Sequence, residues 1–401
     1  MCNEGEVDVL RVADGKKGTG GYFSLSCPVV HLVTVLFITT VCMPVFAQPS
    51  PAIRSPEVSQ DRRITFRFRD PNAKEVAVNI EGIKNPLPMQ RDEEDVWSVT
   101  TDPFDPDYYG YIFIADGVHQ LDPANFLMKP NLLGTQNQVH VPGPAPLPWE
   151  LNDVPHGVVH HHLYHSRVVG DDRDFYVYTP PNYDDRTKTP YPVLYLLHGY
   201  SDEASAWIST GRANVILDNL IAQNKAKPMV VVMPLGYGAP EIVDRMHPSF
   251  GNEDLRRRSF EKFRDALLDE VIPAVEHGYR VSKDRNSRAL AGLSMGGAET
   301  LFVGLNALDH FAWLGAFSSG GLSGDYSKVF PSLDSKANSK LRLLWISCGK
   351  DDRLLAPNQE LRDWLQSKEI RLQWTETSGA HQWQVWRRNL AAFSSLLFEQ
   401  K

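Results

Sequence analysis

Cysteine is nearly absent from this sequence, with four in 401 residues, too few for a disulfide-stapled scaffold. Basic residues are also in deficit: 41 Lys and Arg stand against 49 Asp and Glu, a formal charge of −8. That balance offers no electrostatic footprint for nucleic acid. Glycine and proline, 28 of each, follow no period, which excludes a collagen-like chain. What is present, 42% hydrophobic and 22% charged residues, is ordinary globular composition, and the length predicts more than one domain.

Charge is missing altogether across residues 18–53. Within that stretch the apolar run 29–47 follows Lys16 and Lys17 and ends Val45-Phe46-Ala47, the pattern of a secretory signal peptide. The run is long enough to span a bilayer, but His31, Thr34, Thr39, Thr40 and Pro44 dilute it. Cleavage after Ala47 is expected, leaving 48–58 as a linker and Cys348 as the one cysteine. The expected destination is periplasmic or secreted, with no stable membrane insertion after cleavage.

Residues 59–143 read as short strands. Ile64-Thr65-Phe66-Arg67-Phe68-Arg69 and Val76-Ala77-Val78-Asn79-Ile80 alternate apolar and polar side chains, as strands with one buried face do. Val96-Trp97-Ser98-Val99, Tyr109-Gly110-Tyr111-Ile112-Phe113-Ile114 and the Asp116-Gly117 turn follow. A small all-β, Ig-like sandwich is expected, with Trp97, Tyr111 and Phe113 in its core. Prolines 142, 144, 146 and 148 make 144–149 a stiff spacer.

From 150 to 401 the texture changes. Continuous apolar runs at 192–197 and 229–233 suit strands buried on both faces. Segments 213–223 and 254–277 have helical periodicity, and further strands are read at 288–292, 341–347 and 371–376. Strands alternating with helices predict an α/β fold, a doubly wound and mostly parallel sheet.

Gly292-Leu293-Ser294-Met295-Gly296-Gly297 sits between a strand and a helix, the setting of a nucleophile elbow. Its tight turn pushes the serine hydroxyl out of the sheet and needs neighbours without bulk. Serine requires a base, and the base an orienting acid. Of the two later histidines, His310 falls in a helix-to-strand connection, whereas His381 follows a strand and the loop Ser378-Gly379-Ala380. His381 is therefore the candidate base. The acid belongs in Cys348-Gly349-Lys350-Asp351-Asp352-Arg353-Leu354, where Asp351 and Asp352 are both available. An oxyanion hole needs two backbone N–H groups; Met295 supplies one, and Tyr200, after Leu197-His198-Gly199, the other. The side chain of His198 reads as structural. Five histidines between 156 and 165 suggest metal, but the stretch reads better as an edge strand entering the second domain.

These segments, together with Tyr178-Thr179-Pro180-Pro181-Asn182-Tyr183, Trp207 and His381-Gln382-Trp383-Gln384-Val385-Trp386, resemble the esterase D family of α/β-hydrolases. That family includes feruloyl, acetyl-xylan and enterochelin esterases and mycolyltransferases. Against its Gly-x-x-Asp-x-Leu pattern the acid is Asp352, with Leu354 in register. The preceding sandwich resembles Ig-like early-set domains, through the Trp97 strand, the Tyr-x-Tyr-x-Phe strand, and Asp116-Gly117 followed by Asp122-Pro123-Ala124-Asn125. The resemblance implies no metal and no organic cofactor.

Four activities compete. An exported carboxylester hydrolase would act on feruloyl or acetyl groups of plant polysaccharide, its partner being an ester-bearing poly- or oligosaccharide. A siderophore esterase would open a catecholate trilactone, and should surround that trianion with Arg and Lys. An acyltransferase would use the same triad, and a glycan-binding protein would need none of it. The export signal and acidic balance favour the first, with Trp207, Trp383, Trp386 and Tyr200 expected to line an aromatic acyl pocket, Trp386 reading equally as a core residue. Oligomeric state has no signature in the sequence.

Overall fold

The computed structural model describes residues 52–399 apart from 245, 247–249 and 323; the expected signal peptide lies outside them. Among the described residues no helix is long and apolar enough to cross a membrane.

The chain from 57 to 141 forms two antiparallel sheets whose strands follow the alternation in the sequence. Ile64–Arg69 buries Ile64, Phe66 and Phe68 and turns Thr65, Arg67 and Arg69 outward. It lies between Glu57–Val58 and Val96–Thr100. The second sheet is built around Asp107–Ala115, flanked by Val76–Ile80 and Gln136–Val141. Phe66, Phe68, Trp97, Tyr111 and Phe113 fill the space between, each worth roughly 1.5–3 kcal/mol of burial. The polar ends of two aromatics find partners: Trp97 Nε1 donates to the Asp70 carbonyl at 3.0 Å, and the Tyr111 hydroxyl to Asp122 at 2.8 Å.

A single eight-stranded sheet follows: β1 Val158–His165, β2 Asp172–Thr179, β3 Val193–Leu197, β4 Val230–Pro234, β5 Arg288–Leu293, β6 Trp313–Phe317, β7 Leu343–Gly349 and β8 Gln373–Thr377. Its order is β1-β2-β4-β3-β5-β6-β7-β8. β1 and β2 run antiparallel, and β3 to β8 are parallel. β3 shows why its run is unbroken: Val193, Tyr195 and Leu197 enter one core, Leu194 and Leu196 the other. Helices α1 Ala213–Ala222 and α5 Trp383–Ser394 cover one face. Helices α2 Glu253–Ala266, α3 Met295–Asn306 and α4 Leu355–Ser367 cover the other, through residues such as Phe263, Leu301 and Leu365.

Two sequence readings change. The helix expected over 254–277 is α2, capped by Asn252, then a π-helical turn Leu267–Val271 and the short helix Ile272–Gly278. Pro273 cannot donate to the ladder, and its ring crowds the preceding turn. Strand β6 was not anticipated; Gly315 and Ala316 dilute its apolar signal. A Cβ at Gly315 would stand 2.7 Å from the Phe393 ring, so glycine lets α5 lie close on the sheet. The proline stretch leads directly into contacts with the second region. Trp149 is buried, and Asn219 of α1 donates to the carbonyls of Pro148 and Glu150 at 2.8 Å each. Residues from 52 onward form one compact unit.

The histidine-rich segment is the edge strand β1 and the loop before it. Its rings are engaged by neighbouring side chains: His161 stacks on Tyr176, His162 on Phe175, His160 and His162 both pack against Tyr279, and His156 faces the buried Asp218.

Candidate active site

Ser294 stands between β5 and α3 with φ 52° and ψ −116°, a conformation costing about 1–3 kcal/mol for a residue with a Cβ. Neighbours hold it there. Its N–H donates to the Phe317 carbonyl at 2.8 Å, and its carbonyl accepts from Gly320 N–H at 2.9 Å. The turn also demands small residues: a Cβ on Gly292 would strike the Gly296 carbonyl, and one on Gly296 the carbonyls of Leu197 and His198.

The loops after β7 and β8 bring Asp352 and His381 to this point. His381 Nε2 lies 2.9 Å from Ser294 Oγ, and Nδ1 lies 2.8 Å from Asp352 Oδ2. An ionised carboxylate only accepts, so Nδ1 carries the proton and Nε2 accepts from the serine hydroxyl. Burial opposes the charged form of Asp352. The His381 Nδ1–H hydrogen bond, the pull of the imidazole once protonated and the Leu354 N–H outweigh it, holding the carboxyl below its usual range. Of the two aspartates that spacing left open, Asp352 is the one that meets His381, whereas Asp351 is exposed and offers its backbone N–H to the Gly379 carbonyl. His310 lies at the other end of β5, its carbonyl accepting from Arg288. Trp386, on α5, packs edge to face against His381 at 4.9 Å.

His198 is buried, which pushes its imidazole down to about 4 and keeps it neutral. Nδ1 donates to the Gly199 carbonyl at 2.8 Å, and Nε2 accepts from Gly236 N–H at 2.9 Å. The Tyr237 hydroxyl reaches the same Gly199 carbonyl at 3.3 Å. With that carbonyl fixed, the planar trans peptide turns the Tyr200 N–H the opposite way. A Cβ at Gly199 would come within 3.4 Å of Ser294 Cβ, so this peptide lies beside the serine. Met295 opens α3, where the N–H has no partner within the helix. The loop after β3 and the start of α3 therefore offer two donors next to Ser294.

Trp207 and Trp383, expected to line an acyl pocket, do not line one. They are 0% and 3% exposed, packed edge to face at 5.2 Å, and Trp207 Nε1 is spent on the Leu197 carbonyl. Trp207 thus ties the helix after the β3 loop to the end of β3, and Trp383 packs against it from α5. The apolar surface that does adjoin the serine includes the expected Tyr200, and half-buried Phe250, Leu322 and Leu132, which no motif marked, pack with it against buried Met295 and Ala298. Leu132 comes from the sandwich side, too far along the chain for any motif to flag. Among the described residues no group of three or more His, Cys, Asp or Glu is placed to hold a metal.

A family model described as "Putative esterase" matches residues 166–396. An endo-1,4-beta-xylanase/feruloyl esterase of Xylanibacter ruminicola is 29% identical over 87% of this chain. The chain spans only about half, 46%, of that relative's length. Among solved structures, enterochelin esterase from Shigella flexneri superposes with a TM-score of 0.65 at 20% identity, covering 86% of this chain and 95% of that one. A ferulic acid esterase from Anaeromyces mucronatus gives 0.54 at 23% identity over 62% of this chain and 93% of its own. These likenesses agree with the α/β-hydrolase sheet and the β-rich region preceding it.

Proposed function

Because the chain belongs to the esterase family whose model covers residues 166–396, we propose that it is an exported serine carboxylester hydrolase that removes feruloyl or acetyl groups from plant polysaccharide. The observation that carries the reading is the hydrogen-bonded series Ser294–His381–Asp352. In this mechanism Ser294 Oγ attacks the ester carbonyl while His381 Nε2 takes its proton. Asp352 stabilises the imidazolium and fixes its tautomer. Met295 and Tyr200 N–H groups hold the oxyanion. Collapse breaks the ester C–O bond as the imidazolium protonates the leaving sugar oxygen, leaving an acyl group on Ser294. Water, deprotonated by His381, then attacks that acyl carbonyl, and the proton passes to Ser294 Oγ as the acid leaves.

The apolar wall of Tyr200, Phe250, Leu132 and Leu322 suits an aromatic acyl group. Two nearby cations are already engaged, Lys129 with Glu81 and Arg256 with the carbonyls of Phe250 and Gly321. That favours an uncharged ester over a trianionic iron complex. Export rests on the 1–47 segment. A panel of methyl ferulate, acetylated xylan, p-nitrophenyl acetate and a catecholate trilactone, run beside Ser294→Ala, tests the reading. Turnover of ferulate or acetyl esters that Ser294→Ala abolishes is expected. Preference for the trilactone would overturn the substrate class, and turnover by Ser294→Ala the mechanism.

A further inference from the structure

The proposed oxyanion loop, 199–202, is strained and is fastened from outside its own domain. Ser201 has φ 70°, a left-handed conformation unfavourable for a serine. Its carbonyl accepts from Leu132 N–H at 2.7 Å, and its hydroxyl accepts from the Asn131 side-chain amide at 2.9 Å. The same amide donates to Asp202 Oδ1 at 3.1 Å. Its orientation is dictated locally: Asn131 Oδ1 accepts from the N–H groups of Leu133 and Gly134 at 3.0 and 3.2 Å, so Nδ2 must face the loop.

Asp202 transmits this restraint to the reacting centre. It is buried, its backbone N–H donates to the Gly199 carbonyl at 3.2 Å, and its Oδ2 would lie 3.4 Å from a Cβ at Gly199. The Gly199–Tyr200 peptide is thus held by His198 and Tyr237 from within the α/β domain, and through Asp202 from the sandwich. We propose that Asn131 is a positioning residue: it holds the left-handed turn at Ser201 so that the Tyr200 N–H points at the oxyanion formed on Ser294. The sandwich is then part of the catalytic apparatus for every ester, not an accessory for large ones. This rests on the serine-hydrolase reading above.

The test uses the full chain and a small ester, p-nitrophenyl acetate, which needs no remote binding surface. Asn131→Ala is expected to lower kcat about 10-fold or more, below the 10²–10³ of losing a donor outright, with KM changed less than two-fold. A phosphonate transition-state analogue should react more slowly by a similar factor. Asn131→Asp keeps the acceptor for Leu133 and Gly134, and so the local turn, but replaces the amide that donates to Ser201 and Asp202 with a carboxylate; it should lose kcat as well. Gln138→Ala, which breaks another sandwich contact, to Thr210 at 3.3 Å, is the matched control and should lower Tm with kcat kept. Wild-type kcat in both Asn131 variants, or equal kcat loss in Gln138→Ala, overturns the proposal. Equal turnover by wild type and Ser294→Ala would instead sink the hydrolase reading beneath it.

Discussion

Ile64–Arg69 in the sandwich buries every second side chain, whereas Val193–Leu197 in the α/β sheet buries all five. The first strand has one face in a core and one in water; the second is covered by helices on both sides. The informative strand is the one that breaks its own region's rule. Asp107–Ala115 belongs to the sandwich yet buries eight of its nine residues. Its outer face is not in water: Tyr108 joins the core of the α/β sheet beside Trp149 and Trp207. Gln384 and Arg387 of α5 donate to the Tyr108 carbonyl at 2.8 and 2.9 Å. Alternation lost in a sandwich strand here marks the surface by which one region holds the other.

If the α/β region carries the chemistry and the sandwich only positions it, substitutions should separate sharply. Ser294→Ala and His381→Ala should each lower kcat by about 10⁴-fold or more, non-additively, because the set acts as one unit. Neither should lower Tm by more than a degree or two. A double variant far slower than either single would break the assignment. Asp352→Asn should cost about 10³–10⁴-fold by leaving the imidazole tautomer unfixed, and exposed Asp351→Asn less than two-fold. Michaelis kinetics on p-nitrophenyl acetate decide both, and a larger loss in Asp351→Asn would move the acid by one residue.

The parts legible in the sequence were those governed by local rules. Ser294 was marked by glycines whose Cβ atoms would collide, and His381 by its place after a strand. Between Asp351 and Asp352 spacing was silent; the family pattern chose Asp352, and contact with His381 agrees. Trp207 and Trp383 misled because nearness to a motif in sequence says nothing about which side of the sheet a ring faces. Asn131 and Arg387 could not be read at all. Their partners, Asp202 and Asp107, are remote in the chain, and no periodicity encodes such a pairing.

Arg387 offers the next test of the comparison. Its guanidinium is buried between Asp107, at 2.7 Å, and the carbonyls of Tyr108 and Thr210. Burial raises the Asp107 carboxyl, and Arg387 only partly offsets it. Arg387→Ala would leave that carboxyl without its charge partner, at a cost of about 3–5 kcal/mol. Arg387→Met with Asp107→Leu should recover most of the loss, because two apolar side chains remove both desolvation penalties. Urea unfolding measures each. Strictly additive losses would mean the pair does not hold the two regions together.

The smallest expected effect is the dependence on pH of the contact at Asp202. Burial pushes this carboxyl up from 3.8 to about 7, against the pull of Lys129 and the Asn131 amide. Lys129 is itself paired with Glu81 at 3.4 Å, and the Tyr237 hydroxyl donates to the Asp202 carbonyl at 2.7 Å. Between about pH 4 and pH 7 the folded protein keeps a proton that the unfolded chain has lost. Its stability from this group is therefore greatest below pH 4, falls as pH rises to about 7, and is level above. Asp202→Asn stays neutral and retains an acceptor for Asn131. Relative to wild type it should gain nothing at pH 4, and about 1–3 kcal/mol by pH 8. Urea unfolding of both proteins at pH 4.5, 6 and 8 gives the difference directly. A difference that stays flat would mean Asp202 is charged throughout, held as an ion by Lys129. The sandwich would then grip the oxyanion loop through charge rather than through the Asn131 amide.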